Sequence, residues 1–198
     1  MARLGVFPGS FNPPTIAHLA IAEEVRRRYR LDRLDLVISQ RTLAKEHVEH
    51  PLFHHRLEVL HQTVARYDWL RVEVTDRQLL ADIAEGYDVV VMGADKWWQI
   101  HELRWYESVE HRNRALAQLP PVAVFPRHGF ADPPGITLTL IDDGSHRSVS
   151  STRARAGELE LMTEAAREFA RRTGAWIDRE RYESWLGRTR NHRPSTGR

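Results

Sequence analysis

Residues 88–92, Asp-Val-Val-Val-Met, are apolar on both faces of any pleat and stop at Gly93-Ala94-Asp95. A strand with one wet face alternates polar and apolar residues, so a run like this needs helices covering both sides of a parallel sheet. The same punctuation recurs along the chain. Arg3–Phe7 halts at Pro8-Gly9, and Leu34–Ser39, Leu70–Thr75, Val122–Phe125 and Ile136–Ile141 read as further strands. Between them, Thr15–Arg30 carries Ile16, Leu19, Ala20, Ala22, Val25 and Tyr29 near helical spacing. Phe53–Arg66, Gln78–Ala84, Ser151–Gly157 and Glu160–Thr173 also read as helices. Strands alternating with helices predict an α/β fold, a doubly wound parallel sheet with C-terminal helices, in one domain over residues 1–187. Residues 188–198, polar and arginine-rich without an apolar anchor, are expected to be a disordered tail.

Composition narrows the chemistry. With no cysteine among 198 residues, disulfides, thiolate zinc sites and cysteine nucleophiles are excluded. No run approaches the roughly 18 apolar residues of a membrane helix, and the N-terminus reaches Pro8-Gly9 too early for a secretory signal, so a cytoplasmic protein with no membrane partner is expected. The formal charge is +2, with arginines interspersed among Glu and Asp, which suits anionic small ligands and disfavours nucleic acid. His47, His50, His54, His55 and His61 crowd one region without a recognised ligand spacing. They read as surface imidazoles near an anion-binding loop, and no metal site is expected.

In an open α/β sheet ligands bind beyond the carboxyl ends of the strands, and three clusters follow strands here. The first is Gly9-Ser10-Phe11-Asn12-Pro13-Pro14-Thr15-Ile16-Ala17-His18, where a glycine loop opens a helix whose free amides favour phosphate. Thr15 and His18 lie one turn apart and are expected to face that site together. The second is Ser150-Ser151-Thr152-Arg153-Ala154-Arg155, hydroxyls at a helix start plus guanidinium groups. The third is Gly93-Ala94-Asp95 after the doubly apolar strand. Isolated, each has a plain structural reading as a turn or an N-cap.

Taken together, the first two clusters resemble the paired signatures of the nucleotidyltransferase superfamily, His or Thr-x-Gly-His and Ser-Ser/Thr-x-x-Arg. The third resembles the Gly-x-Asp element of nicotinate and nicotinamide mononucleotide adenylyltransferases. The resemblance runs from Gly5 to about Arg155 and implies a Rossmann-like domain binding ATP. It assigns ATP contacts to Gly9, Ser10, Phe11, Thr15, His18, Gly93, Asp95, Ser151, Thr152 and Arg155, with Asp95 on the ribose hydroxyls. His18, Lys45 and Arg155 would stabilise the reacting phosphates, and Lys45, Arg56, Trp98 and Trp105 would engage the acceptor. Arg127, in Phe125-Pro126-Arg127-His128-Gly129, loosely resembles an Arg-Pro-Gly element. Ala17 departs from the motif glycine and is expected to crowd the nucleotide. Leu103 stands where a stacking aromatic is expected, with Trp97, Trp98 and Trp105 nearby.

The implied reaction moves AMP from ATP, with Mg2+, onto a phosphorylated small molecule, foremost nicotinate or nicotinamide mononucleotide in NAD biosynthesis. Phosphopantetheine adenylylation, cytidylyl transfer, a non-catalytic nucleotide- or RNA-binding protein and, last, a fragment related to class I aminoacyl-tRNA synthetases are the alternatives. Neither monomer nor homo-oligomer is selected by the sequence.

Overall fold

Five apolar runs form one sheet in which each strand runs parallel to its neighbours, β1 (Leu4–Pro8), β2 (Arg33–Ser39), β3 (Leu70–Thr75), β4 (Val89–Gly93) and β5 (Val122–Phe125), in the order β3-β2-β1-β4-β5. The structure is a computed structural model that describes residues 1–39, 50–133 and 145–191. Helices α1 (Ile16–Tyr29), α2 (Phe53–Val64), α3 (Leu80–Ile83), α4 (Ala94–Gln99), α5 (Val109–Ala117), α6 (Ser151–Arg155), α7 (Glu164–Thr173) and α8 (Arg179–Asn191) connect and follow the strands.

Strand β4 does what its composition requires. Val89 and Val91 join one core with Phe7, Leu34, Leu36, Ile38 and residues of α1, α2 and α7, while Val90 and Met92 join a second core with Val6, Val37, Ala94 and Ile100. The split follows the period-2 pleat, with each neighbouring side chain sent to the opposite face. All five β4 residues are buried.

The chain leaves β1 toward β2 and β3, then returns to place β4 on β1's other side, so the strand order reverses between β1 and β4. That reversal opens a crevice at the carboxyl ends of the two central strands.

Several elements differ from the sequence reading. The helix expected over Glu160–Thr173 divides into a 3-10 turn at Leu159–Leu161 and α7 from Glu164. The cause is the first loop: Met162 bridges Thr15, and the Thr163 amide donates to the Pro14 carbonyl at 3.1 Å, so this backbone is extended. Helices α5 and α8 have little apolar pattern. Ala115 is the buried residue of α5, and Tyr182 is a buried anchor of α8. Helix α8 runs through Asn191, past the expected boundary at residue 188. The expected strand Ile136–Ile141, Lys45, His47 and residues 192–198 lie outside the described residues.

The histidine-rich region is a packing surface. The His55 ring lies 5.5 Å from Phe169 and 5.1 Å from Trp185, and its Nδ1 is 2.6 Å from the Tyr182 hydroxyl, which also accepts from the Leu52 amide at 3.0 Å. His50 packs against Tyr182 and faces Glu183 at 3.5 Å. His50 and His55 are half-buried against α8, whereas His54 and His61 are exposed as expected. Removing the Tyr182 hydroxyl strips partners from two groups in this contact, which costs about 1–3 kcal/mol. Tyr182→Phe should therefore lower the unfolding free energy by that amount, read as a lower urea midpoint at an unchanged slope.

Candidate active site

The crevice is a cavity of about 770 Å³ walled by the ends of the strands. Phe7 and Pro8 of β1, Val37 and Ser39 of β2, Met92 and Gly93 of β4 and Phe125 of β5 all line it. Gly9, Ser10, Phe11, His18, Asp95, Trp105, Ser151, Thr152 and Arg155 also line it. The structure thus brings the three sequence clusters into one wall.

The first loop is held by its carbonyl groups. Ser10 O accepts from Arg56 Nη1 at 3.4 Å, Asn12 O from Arg155 Nη1, Pro13 O from Ser151 Oγ at 2.8 Å and Pro14 O from the Thr163 amide at 3.1 Å. At its start, Gly9 N donates to Val37 O at 3.0 Å, and the Asn12 side chain accepts from Trp176 Nε1 at 2.6 Å. The acceptor ends of these peptides are consumed by protein donors, so the loop does not offer them to an approaching anion. Two of the clamps, Ser151 and Arg155, belong to the second signature. Motifs some 140 residues apart are thereby bonded to each other.

Thr15 starts α1 and orients His18. Its amide donates to His18 Nδ1 at 2.9 Å and its Oγ1 lies 2.8 Å from the same nitrogen. An amide can only donate, so Nδ1 accepts and the ring proton resides on Nε2, the nitrogen left for the cavity. The ring packs edge-on to Phe11 at 5.1 Å and beside Phe7 at 5.9 Å. Burial first, and the positive charge of Arg127 second, push the imidazole pKa down to about 3. His18 is therefore neutral in the ligand-free protein, with Nε2–H as its hydrogen-bond donor. Thr15 itself is 1% exposed and acts through this ring, without being part of the cavity wall.

Across the cavity, Asp95 follows Gly93, where a side chain would overlap the Asp95 carboxylate. Arg127 Nε sits 3.7 Å from Asp95 Oδ1. Trp105 and Tyr106 form an aromatic wall, Tyr106 held by its hydroxyl donating to Ile100 O at 2.8 Å.

A family model described as cytidylyltransferase-like matches residues 6–157. The chain belongs to the cytidylyltransferase-like family of nucleotidyltransferases. It is 31% identical over 162 residues to the probable nicotinate-nucleotide adenylyltransferase of Brucella suis, covering 76% of each chain. It is 28% identical over 170 residues to that of Salinibacter ruber, covering 77% of this chain and 84% of the relative. Among solved structures, Plasmodium falciparum nicotinic acid mononucleotide adenylyltransferase complexed with NaAD matches with a TM-score of 0.67 at 14% identity, over 89% of this chain and 98% of the other. At that identity the likeness is one of fold.

Within this cytidylyltransferase-like chain, two expected acceptor residues, Arg56 and Trp98, stand apart from the wall. Arg56 is 6% exposed beneath the first loop, with its guanidinium 5.4 Å from the Phe53 ring, and supports Ser10 from behind. Trp98 points away from the cavity wall and donates from Nε1 to Ala131 O at 2.9 Å. Lys45 lies outside the described residues. Ala17 is 2% exposed in the core and absent from the wall, so its methyl group does not crowd the cavity. Leu103 is absent from the wall, and Trp105, at the end of the 3-10 turn Leu103–Trp105, lines it. Arg127, which the sequence linked only loosely to an Arg-Pro-Gly element, lines the wall, as do Tyr106, Arg77, Lys96 and His128, which no motif selected.

Because the folded His18 is neutral and the unfolded one takes a proton near pH 6.5, stability falls with acidification between about pH 6.5 and 3. The slope from this group is at most about 1.4 kcal/mol per pH unit. His18→Gln should remove that component, so the variant's unfolding free energy should depend less steeply on pH between 6.5 and 4 than the wild type's.

Proposed function

We propose that this nucleotidyltransferase moves AMP from ATP onto nicotinate mononucleotide, or its amide, and releases pyrophosphate, a dinucleotide-forming step of NAD biosynthesis. The observation that carries this reading is the joining of the two signature motifs beside a neutral, Nε2-protonated His18. The names of the Brucella and Salinibacter relatives support the acceptor, and the Trp105–Tyr106 wall suits a flat heteroaromatic ring.

The acceptor phosphate attacks the α-phosphorus in line. A new P–O bond forms to the acceptor oxygen as the α–β bridging P–O bond breaks, and its electron pair leaves with pyrophosphate. The attacking phosphate is already largely dianionic near neutral pH, with a second pKa around 6, so no general base is needed. Alignment and charge stabilisation remain for the protein to provide. In this reading His18 Nε2–H donates to a phosphate oxygen and the Arg155 guanidinium supplies positive charge. Ser151, Thr152 and the Gly9–Phe11 backbone line the phosphate path, and Asp95 accepts from the ribose hydroxyls. Lys45 would add charge from the 40–49 segment, and Arg56 would act by holding Ser10.

Among the described residues no group of three His, Cys, Asp or Glu is placed to hold a metal, and Asp95 is the wall's carboxylate. Mg2+ is accordingly proposed as part of the MgATP substrate, bound on phosphate oxygens. No helix among the described residues is long and apolar enough to cross a membrane, and the reaction of soluble metabolites places the enzyme in the cytoplasm in this reading.

The test is pyrophosphate release from MgATP with nicotinate mononucleotide, nicotinamide mononucleotide and phosphopantetheine, and from CTP as the other donor. A mononucleotide with ATP should give the strongest turnover. His18→Ala should lower kcat by about 10²–10³-fold, the usual effect of losing one transition-state donor. Strong turnover with CTP, or with phosphopantetheine alone, would overturn the assignment.

A further inference from the structure

Arg127 occupies the gap between the two halves of the nucleotide wall. It leaves β5 after Pro126, and its guanidinium stacks on the Phe125 ring at 4.6 Å. On one side Nη1 donates to Val149 O at 3.1 Å, immediately ahead of Ser150, whose hydroxyl caps α6. On the other side Nε lies 3.7 Å from Asp95 Oδ1, too long for a hydrogen bond, and this buried N–H has no hydrogen-bond partner among the described residues. Gly93 makes the approach feasible, since a Cβ there would overlap Asp95 Oδ1 and come within 3.1 Å of Arg127 Nε.

We propose that Arg127 is a positioning residue that couples the Asp95 carboxylate at the end of β4 to the Val149 carbonyl ahead of α6, setting the span between the ribose-binding and phosphate-binding halves of the site. This rests on the adenylyl-transfer reading for the identity of the ligand. A planar guanidinium anchored on an aromatic ring can address two acceptors on opposite sides, which a lysine ammonium cannot do from one position. The unmade Nε–H bond marks where closure occurs when a nucleotide draws Asp95 inward, because a buried donor gains by finding its acceptor. The same guanidinium is the charged group acting on His18, so one side chain influences both the ribose carboxylate and the phosphate donor.

The test uses R127M, R127K, D95N and the double variant, with MgATP affinity by calorimetry and the His18 imidazole titration followed by NMR in the ligand-free protein. R127M should weaken MgATP binding by about tenfold, the loss of one charge-assisted hydrogen bond, and R127K should recover only part of it. The loss in the double variant should be smaller than the product of the two single losses, since both changes break one coupling and D95N additionally removes the carboxylate's own contact with the ribose. The His18 titration should move upward in R127M, which a merely structural role would not produce. Should R127M not fold, R127K carries the test: MgATP affinity within about twofold of wild type in R127K, or losses from D95N and R127M that multiply, would overturn the proposal. Absence of pyrophosphate release by the wild type would instead sink the adenylyl-transfer reading, while ATP affinity and the His18 titration would still judge Arg127.

Discussion

The carbonyl groups of residues 10, 12, 13 and 14 are tied to Arg56, Arg155, Ser151 and Thr163, and the rest of the site depends on this clamp. Each bond comes from a different place in the chain: α2, the two ends of α6, and the entry to α7. The sheet supplies the fixed end through Gly9 N and Val37 O. A phosphate site needs backbone held against its own tendency to hydrogen-bond elsewhere, and here the acceptor half of each peptide is occupied by protein. The entry to α7 and the nucleotide loop are consequently built on each other, since α7 begins just after Met162 and Thr163 bridge Thr15 and Pro14.

Electrostatics in the ligand-free protein are deliberately incomplete. Burial holds the Arg56, Arg127 and Arg155 guanidinium groups below their ordinary pKa, and Asp95 approaches only one of them. Desolvating a cation is costly, and a polyphosphate would offset that cost at Arg127 and Arg155, which line the cavity, while Arg56 lies outside its wall. His18 contributes in the opposite manner. Kept neutral by burial and by Arg127, it donates a hydrogen bond without adding another buried charge to a crowded region. This division between fixed cations and a neutral donor suits a reaction in which negative charge is redistributed among phosphate oxygens rather than a proton being removed.

Much of this was legible in residue order. The doubly apolar run before Gly93 announced a central parallel strand, and the clusters after β1, β4 and the late loop met at the predicted crevice. What escaped the sequence had physical reasons. Thr15 looked like a ligand because hydroxyls at helix starts often are, yet its bonds are used to set the His18 tautomer. Arg56 was expected to engage the acceptor because spacing does not reveal burial under a loop formed 46 residues earlier. Helix α8 showed no amphipathic stripe because it docks largely through Tyr182 and Trp185 against histidines of another segment. Trp98 and Trp105 could not be told apart in sequence; Trp98 lies on α4 and donates to Ala131, while Trp105 ends a 3-10 turn and lines the cavity.

The central claim is that this arrangement directs an acceptor phosphate onto the α-phosphorus of ATP, and radiolabel transfer tests it most directly. With ATP labelled at the α-phosphate and nicotinate mononucleotide as acceptor, the account predicts that the label enters a dinucleotide product while the released pyrophosphate stays unlabelled. Label confined to free ADP or AMP, or transferred only when the γ-phosphate carries it, would contradict the account.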